Sequence, residues 1–392
     1  MALTTASFDW PTPTAAYIHI PFCRHRCGYC NFSVVAGRDD LIDRFLLAID
    51  QELTSLECPS VETVFLGGGT PTHLSSTQLA RLLEIVRRRF DFPDAEEVEF
   101  SVEANPEDIS GERLKVLRDH GVNRLSLGVQ SFHPDKLKLL ERSHDASIAT
   151  RAIESSHDAI RNVSIDLIFA APGETIGQWR EDVQTALRTP VQHLSTYSLT
   201  FEKGTSFWNR QRHGELVAIS EETEVQMYQE TRRQAREHGM QHYEISNFGF
   251  AGNSCRHNLA YWQGSGWFAA GPGAARFVGG KREVNHRSPL TYLRRVESGQ
   301  TPVAESETIS QRQHLRERVA FGIRMLDGFE IDTLPQVDGR SAWDVCSAAI
   351  QRHLDLGTVV VIGDESDPSG RRLRLTEQGL LFADSVASDL LG

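Results

Sequence analysis

The chain contains few cysteines, carries an excess of negative charge and lacks a long apolar run. Six cysteines among 392 residues are too few for a disulfide framework, so a reducing compartment is expected. A formal net charge of -12 argues against a broad electrostatic surface for nucleic acid or anionic membranes. The N-terminal MALTTASFDWPTPT lacks the basic and apolar regions of a secretory signal, and no later segment has the length of a membrane span. Composition therefore predicts a cytoplasmic protein, neither nucleic-acid-binding nor integral to a membrane, whose partners are small molecules or proteins.

Apolar, β-rich runs alternate with amphipathic helical stretches through the first half of the chain. Six such runs occupy residues 15–20, 62–68, 97–104, 123–130, 163–170 and 193–199. Each precedes a helix candidate, one of them behind the capping box Ser75-x-x-Gln78. Six β-then-α units predict a parallel sheet wound in one hand, either an open doubly wound sheet or an incomplete (β/α) barrel. In both folds the ligand site lies at the carboxyl ends of the strands.

Two neighbouring strands alternate apolar and polar side chains, which favours the barrel. The polar positions are Glu99, Ser101 and Glu103 in one strand and Ser126, Gly128 and Gln130 in the next. Parallel strands covered on both faces usually read as continuous apolar runs. For a single strand, an edge position with one wet face would explain the alternation equally well. Because two adjacent strands share it, the pattern predicts a polar barrel interior.

The second half of the chain is organised differently. A capped helix is predicted from Ser220 to Gly239, and the glycine- and aromatic-rich tract 247–273 is predicted to be a long irregular loop packed through its aromatic residues. From about residue 305, the order of elements is that of a winged-helix-like module: a helix, a second helix at 342–356, a strand pair around GDESDPSG and a last helix behind Thr376. Since the chain is acidic, this module is expected to pack or dock rather than bind DNA. The predicted division is 1–215, 216–304 and 305–392.

A C-x-x-x-C-x-x-C array follows the first predicted strand, and a glycine turn follows the second. The array consists of Cys23, Cys27 and Cys30. Thiolates at this spacing suit zinc or an iron–sulfur cluster, but a zinc site would need a fourth ligand from His19, His25 or Cys58. A four-iron cluster held by three thiolates leaves one iron open. The turn GGGTPT, residues 67–72, lets the backbone approach a ligand closely, although alone it could be an ordinary tight turn.

Together, the array and the turn resemble those of the radical S-adenosylmethionine (SAM) enzymes. The chain is most similar to the branch containing oxygen-independent coproporphyrinogen III oxidase and the HemW-type haem chaperone, from Tyr17 to the C-terminal LTEQGLLFADSVASDLL. The resemblance implies an α/β fold, a partial (β/α)6 TIM-like barrel with a C-terminal α+β winged-helix-like domain. It also implies that the three cysteines ligate a 4Fe-4S cluster whose open iron is chelated by SAM.

The resemblance further implies a set of positions that contact SAM. They are Tyr17, Tyr29, Gly68, Gly69, Thr70, Glu103, Gln130, Arg142 and Asp166. Glu103 and Gln130 belong to the polar phase already assigned to the barrel interior. Arg142 could instead be an ordinary surface charge. Asp166 lies inside an apolar strand, where an unpaired carboxylate is costly, so it requires a partner or a ligand.

Three features separate the oxidase from the chaperone. The oxidase pattern continues with a further cysteine two residues after the third and has a longer N-terminal region, whereas here Phe32 occupies that position and 22 residues precede Cys23. The segment HNLAYW, residues 257–262, matches an H-N-x-x-Y-W signature of the chaperone branch. His257 could ligate haem iron, and Tyr261 and Trp262 could contact the porphyrin. Alternatively, the segment is a structural loop whose aromatic residues fill core. Cys255, two residues before His257, is either a thiolate ligand or attachment point for haem or a small buried hydrophobe.

The function predicted from this comparison is that of a haem chaperone. Such a protein binds haem and a SAM-liganded 4Fe-4S cluster and passes haem to an acceptor haem protein, for which a membrane-associated respiratory protein is one candidate. The alternative is the oxidase, which decarboxylates propionates to vinyl groups in haem biosynthesis. Oxidase activity is expected to be absent, and the sequence leaves open whether bound SAM is cleaved.

Overall fold

The six predicted strands form the centre of one parallel sheet. A computed structural model describes residues 9–92, 97–160, 162–363 and 370–392. The strands are β1 Pro13–Ile20, β2 Thr63–Gly68, β3 Glu99–Ala104, β4 Arg124–Gln130, β5 Asn162–Phe169 and β6 His193–Ser198. Each pairs in parallel with the next, so their order in the sheet is their order in the chain. This confirms the prediction of a sheet wound in one direction.

Helices cover the outer face of this sheet. They are α1 Ile42–Thr54, α2 Ser76–Arg89, α3 Gly111–Asp119, α4 Pro134–Leu139, α5 Ala146–Ala159 and α6 Ile176–Leu187. The predicted capping box begins α2, because the Ser75 hydroxyl accepts from the amide of Gln78. Phe100 and Leu125 are buried against the helices, whereas Glu103 and Ser126 face a cavity on the inner side. Side chains from β1 and β6 line that same cavity, so the sheet curves into the expected partial barrel.

Further strands extend both edges of the sheet, which has 12 strands. The added strands are β7 Gln241–Glu244, β8 Asn247–Gly249, β9 Gly266–Ala270, β10 Ala275–Val278, β11 Lys281–Asn285 and β12 Val303–Thr308. The helices of this region are α7 Ser206–Arg212, α8 Glu221–Glu237, α9 Arg256–Trp262 and α10 Pro289–Glu297. The helix predicted from Ser220 is confirmed as α8, with the Ser220 hydroxyl as its cap.

The expectation of an irregular loop over 247–273 is wrong. This tract contains β8, α9 and β9, and β9 pairs in parallel with β1, with Ala269 opposite Tyr17. The elements are too short to show a period in the sequence, and β9 is fixed by hydrogen bonds to a strand about 250 residues earlier in the chain.

The C-terminal residues form a small α+β unit around their own apolar core. Its elements are α11 Gln311–Gly322, β13 Phe329–Glu330, α12 Ala342–Asp355, β14 Val359–Ile362, β15 Arg372–Leu375, α13 Glu377–Leu380 and α14 Ala383–Leu391. The predicted helices and strand pair are confirmed, while residues 364–369 of the turn between the strands lie outside the described residues. The predicted last helix is two helices, because the backbone of Phe382 leaves the helical range at φ -122°. The boundaries proposed at 215 and 304 stay predictions.

No helix in the described parts of the chain combines the length and apolar character needed to cross a bilayer.

Candidate functional site

The three cysteines lie on a loop that the surrounding structure holds in place. Phe22–Cys23 pairs with Val35–Ala36 and closes the loop at its base. The amide of Gly28 donates to Oε2 of Glu141 at 2.8 Å. A side chain at Gly28 would meet the ring of Phe207 at 2.7 Å, so only glycine fits there. These contacts fix the loop through the backbone and leave the thiols free for ligands.

Cys23, Cys27 and Cys30 line a cavity of about 680 Å³ at the carboxyl ends of the strands. All three thiols are free and half-buried. Burial raises the pKa of Cys23 to about 12 and also raises the pKa of Cys30. A thiolate is therefore stable at Cys23 only beside a strong positive charge, which the irons of a cluster would supply. The donor set fits a cluster with one position left for a ligand from outside the protein.

The candidate fourth ligands of a zinc site are occupied elsewhere. The ring nitrogens of His19 lie 3.0 Å from the Tyr17 hydroxyl and 3.0 Å from the Ser33 carbonyl. His25 pairs with Glu141, and Cys58 is exposed beside the carbonyl of Arg88. Over the described ranges, no three His, Cys, Asp or Glu side chains are grouped to hold a single metal ion. The three residues that a zinc site would recruit as its fourth ligand therefore have other neighbours within the protein.

The glycine turn and the cysteine loop form one continuous wall of the cavity. The amides of Gly69 and Thr70 donate to the carbonyls of Ile20 and Phe22, each at 2.8 Å. The Thr70 hydroxyl lies 3.6 Å from Sγ of Cys23. Gly68 has a φ of +95°, which strongly favours glycine. The glycines thus let the turn pack closely on β1 and the cysteine loop, and its close approach to a ligand stays a prediction.

Two half-buried carboxyl groups lie on the inner side of the sheet. Oε2 of Glu103 accepts from the amide of Gly68 at 3.0 Å, and Ser126 donates to Asp166 at 3.2 Å. Burial, and then the nearby charge of Asp166, raises the pKa of Glu103 to about 8. Burial also raises the pKa of Asp166 to about 6, with the hydroxyls of Ser195 and Ser126 opposing the rise. The partner that Asp166 requires is therefore a pair of serine hydroxyls, and both carboxyls face the cavity.

Arg142 faces the cavity instead of solvent. Its Nη2 donates to Oδ1 of Asn105 at 2.5 Å and to the carbonyl of Gly128 at 2.7 Å. Its Nη1 lies 3.9 Å from Sγ of Cys27, and its buried Nε has no hydrogen-bond partner among the described residues. The surface alternative for Arg142 is wrong, because its guanidinium links the third and fourth strands to the cysteine loop. The unpaired Nε of Arg142 could donate a hydrogen bond to an acceptor atom of a ligand in the cavity.

Of the remaining predicted positions, Gln130 and Tyr29 also line this cavity, whereas Tyr17 lines the cavity of about 500 Å³ on the inner side of the sheet. Gln130 ends β4 with a φ of +64°, and Tyr29 packs edge-on against Phe207 at 5.9 Å. Sequence reasoning missed Asn105, whose Nδ2 donates to the Thr70 hydroxyl at 3.0 Å. Asn105 directly follows β3, so a search of the residues beyond each strand's carboxyl end would have found it.

The HNLAYW segment lies at the opposite end of the barrel. It forms most of α9, whose first turn is held by Glu99: its carboxylate accepts from the amides of Arg256 at 2.9 Å and His257 at 3.0 Å. Nδ1 of His257 lies 2.9 Å from the hydroxyl of Thr63. Thr63 and Glu99 are the first residues of β2 and β3. Helix α9 therefore closes the amino end of the barrel, away from the cysteine loop.

His257 and Tyr261 come together there, but Trp262 does not join them. Nε2 of His257 lies 3.0 Å from the Tyr261 hydroxyl, so both ring nitrogens are hydrogen-bonded. Burial lowers the pKa of His257 to about 3, which keeps the ring neutral. The indole of Trp262 packs against Phe321 and Arg324, at 6.5 and 4.8 Å. Thus His257 and Tyr261 line the cavity of about 500 Å³ on the inner side of the sheet, whereas Trp262 contacts the C-terminal unit.

Cys255 precedes α9 as a buried thiol. Its Sγ lies 3.6 Å from Oε1 of Glu99, and burial raises its pKa to about 12. Both observations favour a protonated thiol acting as a small buried group over a thiolate ligand.

Comparisons with known proteins agree with this geometry. The family model of the Radical SAM superfamily matches residues 17–186, and that of the HemN C-terminal domain matches residues 309–382. "Heme chaperone HemW" of Bacillus subtilis is 34% identical over 383 residues, 96% of this chain and 99% of the relative. "Heme chaperone HemW" of Mycobacterium tuberculosis H37Rv is 36% identical over 391 residues, 97% of this chain and 95% of the relative.

A solved structure shares the fold. Coproporphyrinogen III oxidase (HemN) of Escherichia coli has a TM-score of 0.82 and 21% identity, covering 97% of this chain and 90% of that one. At this identity the likeness concerns the fold alone. The near-complete matches to the HemW proteins are closer in sequence, and with the cysteine loop and glycine turn they identify the lineage. The chain belongs to the HemW-type family of radical SAM proteins.

Proposed function

We propose that this protein binds haem and transfers it to an acceptor haem protein. The observation that carries this proposal is the match, over at least 96% of the chain, to relatives named heme chaperones. Phe32 in place of a further cysteine supports the same choice over the oxidase. A membrane-associated respiratory haem protein is one candidate for the acceptor.

The family implies a 4Fe-4S cluster and SAM, and the cavity suits both. Cys23, Cys27 and Cys30 would hold the cluster. Gly68, Gly69, Thr70, Glu103, Gln130, Arg142 and Asp166, with Tyr17 and Tyr29, would surround SAM. When bound, the reduced cluster would supply an electron for cleavage of SAM, the chemistry of the superfamily. The chain's own part is to position the ligand, neutralise its charge and limit access of water.

Glu103 makes SAM binding dependent on pH. Because its pKa is about 8, this carboxyl is mostly protonated at pH 7 in the ligand-free protein. Glu103 should lose its proton when the positive charge of SAM enters the cavity. We expect SAM affinity to rise between about pH 6 and about pH 8, by up to about tenfold per unit, and Glu103→Gln to lack this component.

Calorimetric titration in two buffers of different ionisation enthalpy measures the protons released. The comparison with Glu103→Gln separates this proton from any that SAM itself loses. In the ligand-free protein the protonated Glu103 contributes stability that is complete below its ordinary pKa of 4.5 and is lost as the pH rises through about 8. The melting temperature of Glu103→Gln should therefore vary less with pH over that range than that of the wild type. Equal proton release by the two proteins would contradict the assignment.

The proposed function predicts haem binding and release without porphyrin chemistry. We expect about one haem per chain by optical titration, and transfer to apomyoglobin as a receiving probe. Coproporphyrinogen III, SAM and a reductant should yield no vinyl product with the reconstituted protein. Robust vinyl formation would favour the oxidase instead, and the absence of haem binding would rule out the carrier.

A further inference from the structure

The two cavities of the barrel meet at one opening. The residues that line both are Phe32, Gly68, Glu103, Ser126, Asp166, Tyr197 and Arg287. Three of them, Phe32, Tyr197 and Arg287, are exposed, and we call these three the entrance. They come from the cysteine loop, the end of β6 and the segment after β11, so the entrance is assembled only by the curvature of the sheet.

Two large rings at the entrance are accessible to solvent. Phe32 is 60% exposed and Tyr197 is 43% exposed. Exposed aromatic surface at the opening of a cavity contributes binding free energy when a flat apolar ligand covers it. The rings therefore offer a stacking surface. His257 does not, because both of its ring nitrogens are hydrogen-bonded, and Trp262 does not, because its indole packs against the C-terminal unit.

Arg287 adds a positive charge beside these rings. Its Nη2 donates to the carbonyl of Asn31 at 2.5 Å, which holds the guanidinium next to Phe32. That bond uses one of five N–H donors. Within the described residues no carboxylate forms an ion pair with Arg287. The guanidinium is thus positioned to pair with an anionic group of a ligand stacked on Phe32.

We propose that haem docks at the entrance, with its ring against Phe32 and Tyr197 and a propionate on Arg287. This inference rests on the proposed function and gives it a site. A flat apolar ring with carboxylate arms matches the combination of aromatic surface and guanidinium. The site replaces the predicted one on α9, where iron ligation would break a hydrogen bond of His257.

Haem titration of matched variants tests the proposal. We expect Phe32→Ala and Arg287→Gln each to raise the haem Kd about tenfold. Their iron content, SAM affinity and melting temperature should stay those of the wild type. Phe382→Ala, which removes a 50% exposed ring in the C-terminal unit, and Arg294→Gln, which removes an exposed charge on α10, should bind haem normally.

The dimethyl ester of haem isolates the propionate contact. It should bind wild type and Arg287→Gln equally, whereas Phe32→Ala should still weaken it. His257→Gln should retain haem affinity, with Tyr261→Phe as the milder variant if the first unfolds.

Normal haem affinity in both entrance variants would overturn the proposal, as would loss confined to the α9 variants. Loss of SAM instead of haem in Phe32→Ala would overturn it too, since Phe32 would then belong to the SAM site. A wild-type protein that binds no haem would contradict the proposed function itself, an outcome distinct from the others.

Discussion

We expect replacement of Cys23, Cys27 or Cys30 by serine to abolish assembly of the cluster, and this is one of the two largest effects that we predict. Wild-type protein reconstituted anaerobically should hold about four irons per chain, and each variant less than about a tenth of that. The loop offers no substitute ligand, because His19 and His25 already have partners within the protein. Iron and acid-labile sulfide analysis measures the effect directly.

The chain provides matched cysteine controls. Cys58 is exposed beside Arg88, and Cys346 is buried in the core of the C-terminal unit. Cys58→Ser and Cys346→Ala should therefore retain full iron content. One zinc per chain without sulfide in the wild type would refute the cluster assignment, and iron loss in Cys58→Ser would show that the ligand set is incomplete.

Gly69→Ala should weaken SAM binding by at least about 30-fold while leaving most of the iron in place. A Cβ at this position would lie 2.5 Å from the carbonyl oxygen of Ile20 and 2.7 Å from that of Phe22. Both atoms are backbone, so the turn must withdraw from β1 and the cysteine loop, and the wall of the cavity that it forms must move with it. A shift of this kind costs about 2 kcal/mol or more of binding free energy, hence the expected factor.

Equilibrium dialysis of labelled SAM against reconstituted protein tests this expectation. Gly111→Ala is the control, because Gly111 begins α3 and a Cβ there would meet no atom within 4 Å. The control should bind SAM as the wild type does. Wild-type affinity in Gly69→Ala would mean that the glycine turn does not hold SAM.

The parts of the fold that depend on local sequence could be predicted. The six parallel strands, the capping box at Ser75 and the helix from Ser220 each follow from hydrophobic period or from a cap within a few residues. The polar phase of β3 and β4 also follows, because side chains alternate along a strand wherever it lies. The cysteine loop and the glycine turn could be assigned to one site because parallel strands bring their carboxyl ends to one edge.

Other parts could not be predicted, because their partners are distant in sequence. Strand β9 exists through its pairing with β1. The resemblance predicts Arg142 as a SAM contact, but the hydrogen bonds to Asn105 and Gly128 that hold its guanidinium toward the cavity follow only from the tertiary structure. Trp262 looked equivalent to Tyr261 in HNLAYW, but the turn of a short helix directs the two rings to different neighbours.

The sequence by itself determined the lineage and the direction of the sheet, and it predicts the cysteines and the glycine turn as donors for a cluster and SAM, since these reside in contiguous motifs. Only the tertiary structure decided which end of the barrel each motif occupies. It placed HNLAYW at the amino end with both nitrogens of His257 bonded, and it brought the exposed Phe32, Tyr197 and Arg287 to a single opening. The physical reason is that exposure and hydrogen-bond satisfaction depend on the whole curved sheet, whereas a motif specifies only its own few residues.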